Sequence, residues 1–220
     1  MDFLSLTIPA EISWFFNLSI LLVSIYVISK INWSGIYNNN VLNIWITAAF
    51  CVGLIWMMRA TLPSGLNIHF SGAMLMALMF GWRLGVIGMS LICVLVSLWG
   101  KSIPVNLGMS LFINAYLSVT LAYLFFLIVE AVLPRNLYIY LFITAFFGSA
   151  ITFVITGTVS ALLLVMFNIF PWTVLLDEYL PFYYLMGFAE AFTTCGLITL
   201  FIVYQPGWVY TFRDERYLGK

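Results

Sequence analysis

Charge is what this sequence has least of: eight Lys or Arg and eight Asp or Glu in 220 residues, a 7% charged fraction with no net charge. So few charges cannot clothe a water-soluble domain of this size, and no basic run supplies the electrostatic footprint of a nucleic-acid binder. Histidine occurs once, at position 69, and the three cysteines, Cys51, Cys93 and Cys195, stand far apart inside apolar segments. That spacing excludes a disulfide framework and a cysteine zinc site and leaves packing as their role. Also missing are the G-x-x-x-x-G-K-[ST] phosphate loop and the H-E-x-x-H helix, so the sequence carries no ATPase or metalloprotease signature. We expect no enzyme. The start, Met1-Asp2-Phe3, lacks the positive region of a cleavable signal, so the first apolar segment is expected to stay as a spanning helix.

What the chain has is apolar length. It is 64% hydrophobic with a mean hydropathy of +1.11, which makes it an integral, polytopic, all-α membrane protein with the lipid bilayer as its main partner. Windows of about 20 apolar residues give seven spans: Ile12 to Lys30, Val41 to Arg59, Leu66 to Phe80, Leu84 to Gly100, Leu107 to Leu133, Leu137 to Phe170 and Pro181 to Tyr204. The third is short and follows Pro63-Ser64-Gly65, the mark of a tilted or broken helix. The sixth is long, and either projects from the bilayer or bends near Gly157, where a split would make eight spans. Charge chooses between the counts. With seven spans and the N-terminus outside, the cytoplasmic face receives Lys30, Arg83, Arg135, Arg213, Arg216 and Lys220, and the outside keeps Arg59 and Lys101. Trp14, Trp33, Trp56, Trp99, Trp172 and Trp208 then fall near span ends, as interfacial anchors should. Residues 1–204 make one seven-helix membrane domain and residues 205–220 a short cytoplasmic tail.

Four polar features interrupt the apolar runs. His69, preceded by Asn67, is a metal ligand, a proton carrier or a hydrogen-bonded structural group, because an unpaired ring in hydrocarbon is costly. Glu190 falls near mid-membrane and calls for a partner, with Arg59, His69 or a neighbouring polar pair as the choices. Asn106, Ser110 and Asn114 share one helical face, and Thr152, Thr156 and Ser160 another, in the manner of interhelical glue and back-bonding. Met74, Met76 and Met79 suit core filling better than Cu(I) ligation. Gly81, Gly85, Gly88, Gly148, Gly157, Gly187 and Gly196 mark places where helices can approach closely.

His69-Phe70-Ser71-Gly72-Ala73, continuing to Phe80-Gly81-Trp82, resembles the H-L-x-G-(G/A) … G-P-W segment of the CbiM/NikM-type substrate-specific membrane components of energy-coupling-factor transporters for cobalt and nickel. Leu107-Gly108-Met109-Ser110 is similar to that family's L-G-A-N stretch, and Glu190-Ala191-Phe192-Thr193-Thr194 to its E-G-x-I-T segment. The tail Tyr204-Gln205-Pro206-Gly207-Trp208-Val209 is similar to that of a compact bacterial branch described as energy-coupling-factor permease-like. The resemblance covers roughly residues 41 to 204. It implies a multi-pass protein of the bacterial inner membrane, with seven helices and an outside N-terminus, that binds a divalent transition-metal ion as substrate. Separate ATPase subunits and a transmembrane coupling subunit would dock on the cytoplasmic face. It further implies that the metal is held by the N-terminal residues and by the histidine matched by His69. Here the family's Met-His start is Met1-Asp2, so the implied ligands are His69, Met1 and Asp2, with an oxygen in place of an imidazole. Ser110 stands where the family has an asparagine. Asn67, Ser110, Asn114, Glu190 and Thr193 would line or support the pocket. Two other readings of the residues stand beside it: an accessory or assembly subunit of a larger membrane complex, and a proton-coupled small-solute carrier built on His69 and Glu190.

Overall fold

The computed structural model describes residues 8–38, 41–99 and 104–217, most of them helical. A backbone in hydrocarbon can satisfy its N–H and C=O groups only internally, so each long apolar run becomes a helix. In chain order these are α1 (Ala10–Ser29), a short α2 (Trp33–Asn38), α3 (Val41–Met57), α4 (Ala73–Trp99), α5 (Leu107–Val132), α6 (Ile139–Met166), α7 (Trp172–Tyr204) and a terminal α8 (Asp214–Tyr217). Among the described residues, α1, α4, α5, α6 and α7 are long and apolar enough to cross a membrane, and α3 is a shorter apolar helix. Their ends follow local chemistry. Leu133 turns extended ahead of Pro134 and closes α5, and Asn168 at φ 53 turns the chain out of α6.

Helix α4 is two limbs. Gly81 sits at φ 74, ψ 179, a conformation that in practice needs glycine. Beyond it the chain folds back, so that a Cβ at Gly85 would lie 3.3 Å from the carbonyl oxygen of Met76. In a straight helix nine residues would separate those positions by roughly 13 Å. The expected third and fourth spans are therefore distinct passes: limb α4a, residues 73–80, and limb α4b, residues 82–99. Counting the limbs separately gives the seven expected membrane segments. The third pass is only half helical. A two-residue antiparallel ladder, Ala60–Thr61 with Asn67–Ile68, leads into it, and four irregular residues, 69–72, carry it to α4a. Every residue from Ala73 to Gly81 is buried, so α4a forms the axis of the bundle.

Ending a helix at Gly81 frees its last carbonyls, and at this buried end they need partners. The C-terminal segment supplies them. The Tyr210 N–H donates to Met79 O at 3.1 Å, and the Thr211 N–H and Oγ1–H both donate to Leu78 O, at 3.2 and 2.9 Å. Because Thr211 Oγ1 spends its proton there, the Tyr140 hydroxyl is the donor in its 2.6 Å bond to Thr211 Oγ1. Val209, Phe212 and Tyr217 are buried, so the segment after Gln205 packs into the base of the bundle. Arg83 Nη1 donates to Lys30 O at 2.7 Å, Arg135 pairs with Glu130, and the Tyr217 hydroxyl donates to Glu130. These contacts gather Lys30, Arg83, Arg135 and the arginine-bearing tail at one end. Ile8, Leu62, Leu66, Met109 and Leu175 form a second apolar core toward the other.

Some expectations hold in the structure and others are corrected by it. Residues 137–170 hold one continuous helix to Met166, not two. Gly157 does not bend it. It lets the Tyr183 ring lie on the backbone, where a Cβ would come within 2.1 Å of that ring. Gly196 has open space above it and serves no close approach. Trp56 is buried, 3% exposed, and so is not an interfacial anchor, whereas Trp14 and Trp99 are 65% and 78% exposed. Met74 and Met76 are core fillers, their methyl ends packed at Gly148 and Gly88.

Candidate functional site

The chain between the small ladder and α4a, residues 69–72, makes an irregular turn, buried at His69 and half-buried from Phe70 to Gly72. Gly72 ends it at φ 71, where a Cβ would sit 2.9 Å from Val52 Cγ1, so both the torsion and the space call for glycine. The Gly72 carbonyl accepts the Met76 N–H at 3.0 Å and opens α4a. The first N–H groups of a helix have no partner within it. Just ahead of them the carboxylate of Glu190, on α7, accepts the two N–H groups that lead into the helix: Ser71 N–H to Oε2 at 2.9 Å and Gly72 N–H to Oε1 at 2.6 Å. Both oxygens are acceptors, the pattern that an ionised carboxylate satisfies best, at the positive end of the limb.

Trp56, on α3, grips the same turn twice. Its indole Nε1–H donates to Ser71 O at 2.9 Å, and its ring packs on the His69 imidazole, centroids 4.3 Å apart and planes at 40°. The imidazole, 6% exposed, bonds through Nδ1 to the carbonyl of Phe70 at 2.8 Å. A carbonyl has no proton to give, so Nδ1 is the N–H, and in the neutral ring Nε2 bears the lone pair. That is one of the two tautomers through which histidine ligates a metal, in a fixed orientation. Beside the turn lies a small cavity of about 30 Å³, lined by Trp56, Phe70, Ser71, Glu190, Thr193 and Thr194 among others, with room for one water-sized occupant.

The residues singled out in the sequence divide. His69 and Glu190 meet at this turn. Asn67 lies at its entrance, its Oδ1 accepting the Thr61 hydroxyl at 2.7 Å within the ladder. Thr193 edges the cavity but is exposed, its hydroxyl donating back to Ala189 O at 2.9 Å; the buried neighbour is Thr194. Ser110 and Asn114 are buried on α5, where the Asn114 amide donates to Ser110 O at 3.1 Å. The Ser110 hydroxyl has no hydrogen-bond partner among the described residues. Met1 and Asp2 lie outside the described residues. Within them, no three His, Cys, Asp or Glu side chains gather closely enough to hold a metal ion. Sequence reasoning missed Trp56, Ser71 and Gly72. Nothing in the sequence distinguishes Trp56 from an edge tryptophan, but Gly72, three residues past the histidine, was readable as a backbone constraint.

Residues 6–208 match the family model described as cobalt uptake substrate-specific transmembrane region. No curated protein matches the chain. Among solved structures, the crystal structure of a truncated transition metal transporter is similar in fold, with a TM-score of 0.74 at 16% identity over 89% of this chain and 95% of that one. A second, of a transition metal transporter, has a TM-score of 0.74 at 17% identity over 88% of each chain.

Proposed function

The chain belongs to the CbiM family of cobalt uptake substrate-specific transmembrane regions, and on that premise we propose that it captures a divalent transition-metal ion through His69. It is a membrane component of metal uptake and not an enzyme. The observation that carries the assignment to His69 is the built turn: an imidazole locked by Phe70 O and Trp56 so that Nε2 bears the lone pair. A Glu190 carboxylate supports it from behind. Glu190 is in this reading a positioning residue, since both its oxygens are engaged by backbone N–H groups. The same engagement argues against a proton relay through it.

One imidazole does not hold an ion alone, and Met1 and Asp2 are the donors to which the family resemblance points. A nitrogen set supplemented by a carboxylate oxygen suits cobalt or nickel, both borderline in ligand preference. Asn67, Ser110, Asn114 and Thr193 are assigned to the walls of the approach. The end of the bundle rich in Lys and Arg is taken as cytoplasmic by the positive-inside rule, in a bacterial inner membrane, with the first residues outside. ATPase and coupling subunits would then meet the protein at the end where the tail packs. Calorimetry with CoCl2 and NiCl2 on detergent-purified protein tests the assignment. His69→Ala is expected to abolish binding while insertion and helix content are retained, and undiminished binding would remove His69 from the site.

A further inference from the structure

Limb α4a is a rod between two pivots. Residues 73–80 are continuously helical and buried on all sides, and glycines at left-handed φ, 71° at Gly72 and 74° at Gly81, bound it at either end. At 1.5 Å per residue it is about 12 Å long. Its upper end opens directly from the His69–Gly72 turn, which Glu190 and Trp56 hold. Its lower end is held from outside the helix by the C-terminal segment, through the bonds of Tyr210 and Thr211 to the carbonyls of Met79 and Leu78. The Tyr210 ring lies against Gly81 itself, 3.2 Å from where a Cβ would be. Tyr140 completes the seat by donating to Thr211 Oγ1. A close-packed helix with no side exposed moves as a body or not at all.

We propose that Tyr210 and Thr211 are positioning residues for metal capture: seated on the carbonyls of Leu78 and Met79, they set through the α4a rod the placement of the His69 turn at its far end. The inference rests on the reading of His69 as a ligand. Coupling of this kind is reciprocal, so a tail seat that strengthens metal binding is itself tightened by metal to the same degree. A tail that merely stabilises the fold responds to metal only in step with the rest of the bundle. The metal-binding end and the charged end that carries the tail thereby communicate through a single eight-residue element.

The test uses the full chain in detergent, with Co(II) as the probe. Hydrogen exchange followed by mass spectrometry is expected to show peptides across residues 207–213 exchanging about fivefold more slowly at saturating Co(II) than any slowing seen in α1 accounts for, and no such change in His69→Ala. The double variant Tyr140→Phe with Thr211→Val removes both hydroxyls together and strands neither; its Co(II) dissociation constant is expected to rise about fivefold, the worth of one hydrogen bond. Thr211→Ser, which keeps the hydroxyl, should bind as the parent does. Tail exchange indifferent to Co(II), in a protein whose binding is lost with His69→Ala, overturns the rod proposal and leaves the site standing. Binding that survives His69→Ala overturns the site instead. Should the double variant fail to fold, exchange in the unaltered protein decides alone.

Discussion

Glu190→Gln keeps the volume of the side chain and exchanges one oxygen for an amide nitrogen, so it probes the clamp on the turn without opening a cavity. The carboxylate now accepts from Ser71 N–H at 2.9 Å and Gly72 N–H at 2.6 Å. Glutamine offers one carbonyl oxygen and sets an NH2 against the other N–H. A hydrogen bond to a charged group contributes about 1.5–3 kcal/mol, and a stranded buried donor costs about 1–3 kcal/mol. With one bond lost and the other reduced to a neutral one, the total is roughly 2–4 kcal/mol. If that cost divides evenly between the fold and the ordering of the turn around metal, Co(II) binds more weakly by about 5- to 30-fold. Calorimetry measures the affinity, and the visible absorption of bound Co(II) reports its ligands. Because Glu190 acts through the backbone, the spectrum at saturation should be that of the parent. An unchanged dissociation constant would refute the clamp, and a changed spectrum would make Glu190 a ligand.

Trp56→Phe retains an aromatic ring over His69 and removes the indole N–H from Ser71 O, so Co(II) affinity should fall about fivefold; calorimetric equivalence with the parent would deny Trp56 its second grip. Gly157→Ala places a methyl group where the Tyr183 ring lies, forcing α6 and α7 apart at a cost of roughly 1–3 kcal/mol, and a melting temperature equal to the parent's would contradict that contact. Burial, and after it the Glu130 carboxylate that accepts its proton, push the Tyr217 hydroxyl above the ordinary tyrosine range. The unfolded chain ionises first, near pH 10, so this stabilisation is complete below that pH and is lost as pH rises toward the folded value. Tyr217→Phe should flatten the alkaline limb of a pH-stability curve, and an identical limb in both proteins would count against the contact.

The broad architecture was legible because lipid imposes it: apolar runs of sufficient length must be helical, and their lengths gave the spans that the helices realise. The break at Gly81 was legible as the gap between a run ending at Phe80 and one starting at Leu84, and the shortness of the third run with its proline-glycine entry foretold that its first half is not helical. The seat of the break was not, because nothing in Tyr210-Thr211 announces a partner some 130 residues earlier. His69 and Glu190 declared themselves by their cost in hydrocarbon. Their relation did not: the acid holds the backbone beside the histidine, an arrangement of main-chain donors that side-chain spacing does not encode. Trp56 was misread for a related reason. Tryptophan near a span end usually sits among headgroups, and only the fold shows this one turned inward to His69.

Diffraction from crystals of the Co(II)-loaded protein, recorded at the cobalt absorption edge, bears most directly on metal capture at His69. An anomalous peak about 2.1 Å from His69 Nε2, an ordinary metal–imidazole distance, with Nδ1 still bonded to Phe70 O, is the predicted result. Cobalt seated away from the imidazole, or bound through Nδ1, would contradict it.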